Sequence, residues 1–241
     1  AAKSSVSSGH PARVNRCSCR NWSRRSIPLA AKSSIYSSGG KVVVIDDGYS
    51  FKNTVTILGG RFVAFDGSNV IKLNPFSMLS SADMDSPEYR ADAIELITRI
   101  IASMAALGQS KQTRVEDLEE GFISRIVGEL WDEKGQEAEV TDVWDRLKAV
   151  SDQDQRLLDV IVKLQAFTKS GPYGAYFTGP ANLKLDQDFT VFELSDIKGQ
   201  KVLQDVILQI IMFLGTELMF KTSRSTPVAI LIDEAWDLLQ S

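Results

Sequence analysis

The sequence predicts an α/β fold, in which a parallel sheet carries an all-helical insertion. Three short runs rich in β-branched and aromatic residues predict strands, at Lys41–Ile45, Phe189–Leu194 and Val228–Ile232. Continuous apolar runs of this length are typical of strands buried on both faces of a parallel sheet. Two of the runs are followed directly by a pair of carboxylates, and the long stretch between the first two has helical apolar spacing.

Composition limits the chemistry open to most of the chain. Its 241 residues suffice for one large domain or two small ones. The only histidine, His10, and both cysteines, Cys17 and Cys19, lie in the first 34 residues. Catalysis by His or Cys, zinc sites and disulfides are therefore excluded for the remainder. From Ile35 onward 20 basic residues stand against 31 acidic ones, and this net charge of −11 argues against a large nucleic-acid surface.

Residues 1–34 lack strand or helix periodicity and contain seven Lys or Arg and no acid. A basic arm is one interpretation. A frame offset fits better: from the third base of the His10 codon, the codons permit SGAGKSVFMQEL and then VTAIYSSGGKVV, and IYSSGGKVV recurs in frame as Ile35–Val43. The first of these strings contains G-x-G-K-S, the core of a Walker A phosphate loop. We therefore predict that residues 1–34 are an out-of-frame or disordered segment and that the translated chain lacks the phosphate loop.

Residues 35–80 are predicted to form the first part of the sheet domain. The predicted elements are strand Lys41–Ile45, helix Ser50–Leu58, strand Arg61–Phe65 and strand Val70–Leu73. Gly59-Gly60 ends the helix, and a turn of Asp, Gly, Ser and Asn separates the last two strands. In Asn74-Pro75-Phe76 the proline restricts Asn74 to an extended conformation, so we expect an ordered bend.

Residues 81–170 are predicted to be the helical insertion. Asp85-Ser86-Pro87-Glu88 has the order of a helix start, with a cap, a proline in the first turn and then an acid. Apolar spacing predicts four helices, at Ala91–Leu107, Val115–Trp131, Thr141–Val150 and Asp154–Phe167. No basic cluster surrounds Trp131 or Trp144 in the sequence, which favours core packing over base stacking.

Residues 171–241 are predicted to complete the visible part of the sheet domain. Strand Phe189–Leu194, helix Val202–Phe220 and strand Val228–Ile232 follow one another, an order that favours a right-handed crossover between parallel strands. Polar residues interrupt the long helix, so we predict an amphipathic or core helix rather than a membrane span. A complete sheet of this type continues beyond its acidic strand, so we also expect truncation at the C-terminal side.

The candidate site residues are the two carboxylate pairs. Asp233 and Glu234 follow five apolar residues, which is the Walker B pattern: the first acid holds Mg²⁺, often through water, and the second polarises the attacking water. The alternative is a helix N-terminus at which the acids cap the first turn. Asp46 and Asp47 follow the first strand in the same way, and either a direct role at a bound nucleotide or turn capping would explain them.

Taken in order, these motifs resemble the type IV secretion ATPase family, in particular the TraC-type ATPases of F-type conjugation. The matching stretches are IYSSGGKVVVIDDGYSFK, LGG at 58–60, LNPF at 73–76, YG at 173–174, SRSTP at 223–227 and IDEAWDLL at 232–239. The resemblance implies a RecA-like P-loop NTPase sheet, here incomplete because the phosphate-loop strand is missing. It also implies ATP and Mg²⁺ as ligands, with Asp233 in the Mg²⁺ role and Glu234 as the catalytic residue.

The resemblance further implies a homo-oligomer, expected to be a hexamer, in the cytoplasm at the inner face of the bacterial inner membrane. Its expected partners are type IV secretion channel components, and its work would be pilus assembly and transfer of DNA or protein. Without Walker A, this chain is predicted to be an inactive fragment. The alternatives are a HerA/FtsK-like DNA-translocating motor, against which the charge argues, and a non-catalytic interaction fragment.

Overall fold

The computed structural model describes residues 39–79, 83–106, 117–151, 157–223 and 225–233. Within these ranges one sheet has the strand order β2-β3-β1-β4, and its neighbouring strands all pair in parallel. The strands are β1 (Lys41–Asp46), β2 (Arg61–Ala64), β3 (Phe189–Glu193) and β4 (Val228–Ile232). The predicted α/β class with a parallel sheet is therefore confirmed. The prediction for residues 1–34 lies outside the described residues.

Eight α-helices accompany the sheet in the described part of the chain. They are α1 (Lys52–Ile57), α2 (Pro75–Met78), α3 (Pro87–Ala106), α4 (Asp117–Lys134), α5 (Val140–Val150), α6 (Leu157–Leu164), α7 (Gly174–Phe177) and α8 (Lys201–Lys221). The proline at the start of α3 marks its first residue, as predicted. Asn74 is extended and accepts a hydrogen bond from Phe76 N, so the predicted bend caps the short helix α2.

The predicted strand Val70–Leu73 is wrong. The backbone there is not in a ladder; it bonds instead to α7 and to the loop that follows α7. Leu73 N donates to Tyr176 O over 2.6 Å, and Asn182 Oδ1 accepts from Lys72 N over 2.9 Å. These isolated hydrogen bonds satisfy backbone polar groups of the segment without a partner strand. The side chain of Val70 is 70% exposed, which is unlike a buried strand residue.

The sheet is buried on both faces, because alternate residues of each strand enter different clusters. One face joins a large hydrophobic cluster through Val43, Ile45, Val63 and Phe192. The other face packs against α1 and against Phe51, the residue before it. The sheet contributes Val42, Val44, Phe189 and Val191 to this second cluster, and α1 contributes Val55. The large cluster also contains the inner residues of α3 to α6. The sheet and the predicted insertion therefore share a core, while the boundaries at residues 80 and 170 stay predictions.

Helix α8 connects β3 to β4 and packs against α3 and β4. Its inner side carries five fully buried side chains, Leu203, Val206, Ile207, Ile210 and Ile211. By length and composition alone, Lys201–Met219 could also cross a membrane, the one helix among the described residues of which this holds. A core helix of a folded domain passes the same test. Among the described strands, β4 lies at one border of the sheet, and it is only half buried along its length.

Candidate functional site

Three carboxylates lie side by side where β1, β3 and β4 end. Asp46 is in register with Glu193, and Asp233 N donates to Ile45 O over 2.8 Å, which places Asp233 beside Asp46. Asp46 follows Val42 and Val44 by steps of two, and Glu193 likewise follows Phe189 and Val191, so both belong to the face covered by α1. Asp233 continues the same alternation from Leu231, another residue of that face. The parallel sheet thus gathers three acids at one edge and on one side.

Asp46 is a deeply buried member of this group of acids. It is 1% exposed, and its Oδ2 accepts a hydrogen bond from Phe51 N over 3.2 Å. Burial raises the pKa of Asp46 to about 6, and the negative charges of Glu193 and Asp233 add to the rise against the opposing effect of the Phe51 hydrogen bond. The structure therefore holds Asp46 where ionisation is unfavourable, as is common at functional sites.

Asp47 has a different environment from its neighbour. Its side chain is 3% exposed, and Lys198 Nζ lies 2.7 Å from its Oδ2. Lys198 itself is 45% exposed at the side chain and belongs to the segment after β3. Asp46 thus has a structural partner in the turn that follows it, Phe51 N, and Asp47 has one across the sheet edge, Lys198. Their predicted role at a nucleotide stays a prediction.

Glu193 is the site residue that sequence reasoning missed. It is fully buried, and its Oε1 accepts hydrogen bonds from Gly48 N over 3.0 Å and from Ser195 N over 2.9 Å. Its Oε2 accepts one from Tyr49 N over 2.5 Å. The signal that could have found it was present: a carboxylate at the C-terminal end of an apolar run, the pattern that singled out Asp46 and Asp233.

The oxygen donors at this edge suit Mg²⁺. Carboxylates are hard ligands, and Mg²⁺ is commonly held by one or two of them together with nucleotide phosphates and water. A cation would also offset the repulsion that raises the pKa of Asp46. The described residues contain no group of three or more His, Cys, Asp or Glu placed to hold a metal by themselves. Glu234, the predicted catalytic residue, lies outside the described residues, whereas Asp233 is half buried at the end of β4.

A parallel α/β sheet with acids along its carboxyl edge has the arrangement in which open α/β sheets bind nucleotides. The parallel sheet of the chain is a P-loop NTPase-like fold, as the following family match confirms. A family model, the TraG P-loop domain, matches residues 29–241. The chain belongs to that family.

Two relatives show how far the similarity extends. The chain is 29% identical over 217 residues to Protein TraC of Escherichia coli strain K12, covering 86% of this chain and 23% of TraC. It therefore spans about a quarter of that relative's length. VirB4 of Thermoanaerobacter pseudethanolicus has a similar fold, with a TM-score of 0.65 at 17% identity over 87% of this chain and 81% of that one.

Proposed function

We propose that this sheet edge is the hydrolytic side of an ATP site in a type IV secretion ATPase. The observation that carries the proposal is the juxtaposition of Asp233 and Asp46 at the ends of adjacent parallel strands. Asp233 is the candidate Mg²⁺ ligand, acting through water, and Glu234 is the candidate base that activates the attacking water. The role of Glu234 rests on its position next to Asp233 and on the family.

The residues on this edge contribute mainly electrostatics. Phosphoryl transfer depends on positioned charges, because little covalent chemistry is left for the protein to perform. Bound Mg²⁺ would neutralise charge developing on the phosphates. Asp46 and Glu193 supply a buried negative environment beside Asp233, which increases the attraction of the edge for a cation.

We further propose that this chain by itself does not hydrolyse ATP. Its 241 residues contain no G-x-x-x-x-G-K-[ST] sequence. The backbone cradle and lysine of that loop provide much of the charge stabilisation on which the reaction depends. The hexameric state, the channel components as partners, a role in pilus assembly and transfer, and a place at the cytoplasmic face of the inner membrane come to this chain as proposals from the family.

Restoring the phosphate loop tests the proposal. Residues 10–34 would be replaced by the part of the shifted-frame peptide that precedes the repeated segment, SGAGKSVFMQELVTA, so that it joins Ile35 directly. Binding of a fluorescent ATP analogue would then be measured with and without Mg²⁺. We expect Mg²⁺-dependent binding by the repaired chain and none by the parent. Asp233→Asn should weaken the Mg²⁺ dependence, because the amide carries no charge for the metal. Glu234→Gln should leave binding intact, since the base acts only in hydrolysis.

Asp188→Asn is the matched control. This carboxylate is 61% exposed at the opposite end of β3, where it pairs with Lys41, so its loss should not alter nucleotide binding. If the repaired chain binds no Mg-ATP, the enzyme proposal fails. Salt-dependent binding of duplex DNA by residues 35–241 would instead favour a DNA-translocating motor.

A further inference from the structure

The loop after β1 is held by the segment after β3. We call residues 193–198 the β3 clamp. Its members contact each residue from Asp46 to Tyr49. The first of these contacts joins two main-chain groups: Leu194 N donates to Asp46 O over 2.9 Å. The contacts of the β3 clamp with this loop are Glu193 to Gly48 N and Tyr49 N, Asp196 to the Tyr49 hydroxyl, and Lys198 to Asp47.

The loop needs such a partner, because its backbone is unfavourable. Gly48 has φ 140° and Tyr49 has φ 60°, and Tyr49 is the one non-glycine residue with positive φ in the described part of the chain. A tyrosine in the left-handed region is strained and persists only where its surroundings fix it. The two N–H groups that this conformation turns toward β3 are those that donate to Glu193. Its carboxylate therefore stabilises one specific shape of the loop.

If Glu193 served only to fill space in the core, its burial would be energetically unfavourable, because a buried carboxylate loses its hydration. It is fully buried beside Asp46, whose carboxyl it repels. An apolar side chain at the end of a buried strand would avoid the desolvation of a charge. What Glu193 provides in return is three charge-assisted hydrogen bonds to backbone N–H groups, which fix geometry more tightly than neutral bonds. The loop so fixed leads to Phe51, whose N–H donates to the Asp46 carboxylate over 3.2 Å at the edge beside Asp233.

We propose that Glu193 is a positioning residue, which fixes the Gly48–Tyr49 turn and through it the Phe51 N–H that orients the Asp46 carboxylate beside Asp233 at the carboxyl edge of the sheet. This inference rests on the proposed nucleotide and metal site, and it extends that proposal to a residue outside the Walker B pair. It predicts that the shape of the loop, and not only the charge of Glu193, determines how the edge receives a divalent cation.

The test uses the 241-residue chain and Mn²⁺ alone as the probe. Amide hydrogen exchange at Gly48 and Tyr49 reports the clamp without any metal. Paramagnetic broadening of the Asp46 and Asp233 amides during a Mn²⁺ titration reports cation binding at the edge. Glu193→Gln removes the charge and places an amide N–H where an acceptor is needed, whereas Glu193→Asp keeps the charge and shortens the reach.

We expect both Glu193 variants to lose protection at Gly48 and Tyr49 and to weaken Mn²⁺ binding on the order of tenfold, as loss of outer-shell partners usually does. Asp188→Asn should change neither. Gly48→Ala provides an independent route if the Glu193 variants do not fold. At φ 140° its added Cβ strains the loop yet meets no atom within 4 Å, so it should weaken Mn²⁺ binding with Glu193 intact.

Three results would overturn the inference. Lost amide protection with unchanged Mn²⁺ affinity would make Glu193 a loop anchor without influence on the acids. Normal Mn²⁺ binding by Glu193→Asp, with weakening only by Glu193→Gln, would show that charge and not geometry matters. Absence of Mn²⁺ broadening at Asp46 and Asp233 in the parent chain, with intact amide protection, would remove the underlying metal site while leaving the clamp itself visible.

Discussion

Replacing Asp46 by Asn should stabilise the chain at neutral pH. In the folded protein burial and neighbouring charges raise the pKa of Asp46 to about 6, from an ordinary value of 3.8. About one pH unit or more below 3.8 the carboxyl is protonated in both states. As the pH rises from 3.8 towards 6 the unfolded chain loses this proton first, so Asp46 removes stability across that window, and the loss is complete about one pH unit above 6. Two pKa units correspond to at most about 3 kcal/mol.

Asparagine cannot ionise, and its side-chain oxygen can still accept from Phe51 N. The difference in unfolding free energy between Asp46→Asn and the parent should therefore grow by up to about 3 kcal/mol between pH 4 and pH 7. Urea unfolding followed by tryptophan fluorescence at several pH values measures it, and using the difference cancels the titration of other groups. Asp188→Asn should give a flat difference, because that acid is exposed. A flat or falling difference for Asp46→Asn would refute the reasoning.

Two further substitutions test the packing around the site. Gly60→Ala should destabilise by about 2 kcal/mol or more in thermal or urea unfolding, since a Cβ there would overlap Phe189 O and lie 2.9 Å from Val55 Cγ2. Asn74→Ala should cost about 2–4 kcal/mol in the same assay, because it removes the cap of α2 and leaves Ala138 O, now 2.8 Å from Asn74 Nδ2, without its donor.

Each of these predictions has a matched control. Gly128→Ala lies within α4, where the nearest atom to the new Cβ is 3.7 Å away, so it should stabilise by about 0.5–1 kcal/mol. Asn69→Ala changes an exposed asparagine whose side chain donates to the neighbouring Ser68 hydroxyl, so the effect should stay within about 0.5 kcal/mol. Equal effects of Gly60→Ala and Gly128→Ala would contradict the close approach of Phe189. A neutral Asn74→Ala would contradict its bridging role.

The strands that carry the site residues at their ends could be predicted from the sequence. Each of them is a continuous apolar run, as burial on both faces of the sheet requires. Val70–Leu73 has similar residues but bonds to a loop about a hundred positions later, and local sequence contains no trace of that loop. The order of the strands is equally invisible, since β1 lies between β3 and β4, its two most distant partners in the chain. Asp46 and Asp233 could therefore be predicted from the sequence to share the carboxyl edge of the sheet, but not to lie on directly neighbouring strands.

The contacts that shape the site were beyond sequence reasoning for the same reason. Asp47 meets Lys198, and Glu193 meets Tyr49, only after the chain has passed through the whole helical region and returned. Glu193 had a local signal, an acid ending a buried strand, and was overlooked because no second acid follows it. Capping and nucleotide binding predict the same residues at strand ends, so the sequence alone could not separate these roles for Asp46.

Among the strands that the structure describes, β4 lies at the border of the sheet, and this position has a practical consequence for handling the molecule. A border strand offers main-chain donors and acceptors to any other extended segment, and proteins normally protect such strands with charges, prolines or a covering element. Within Val228–Ile232 every side chain is aliphatic and half buried, and none is charged. We therefore expect concentrated samples of this polypeptide to form larger assemblies, in which β4 of one molecule pairs with an edge strand of another. A charged substitution within β4 would keep them dispersed.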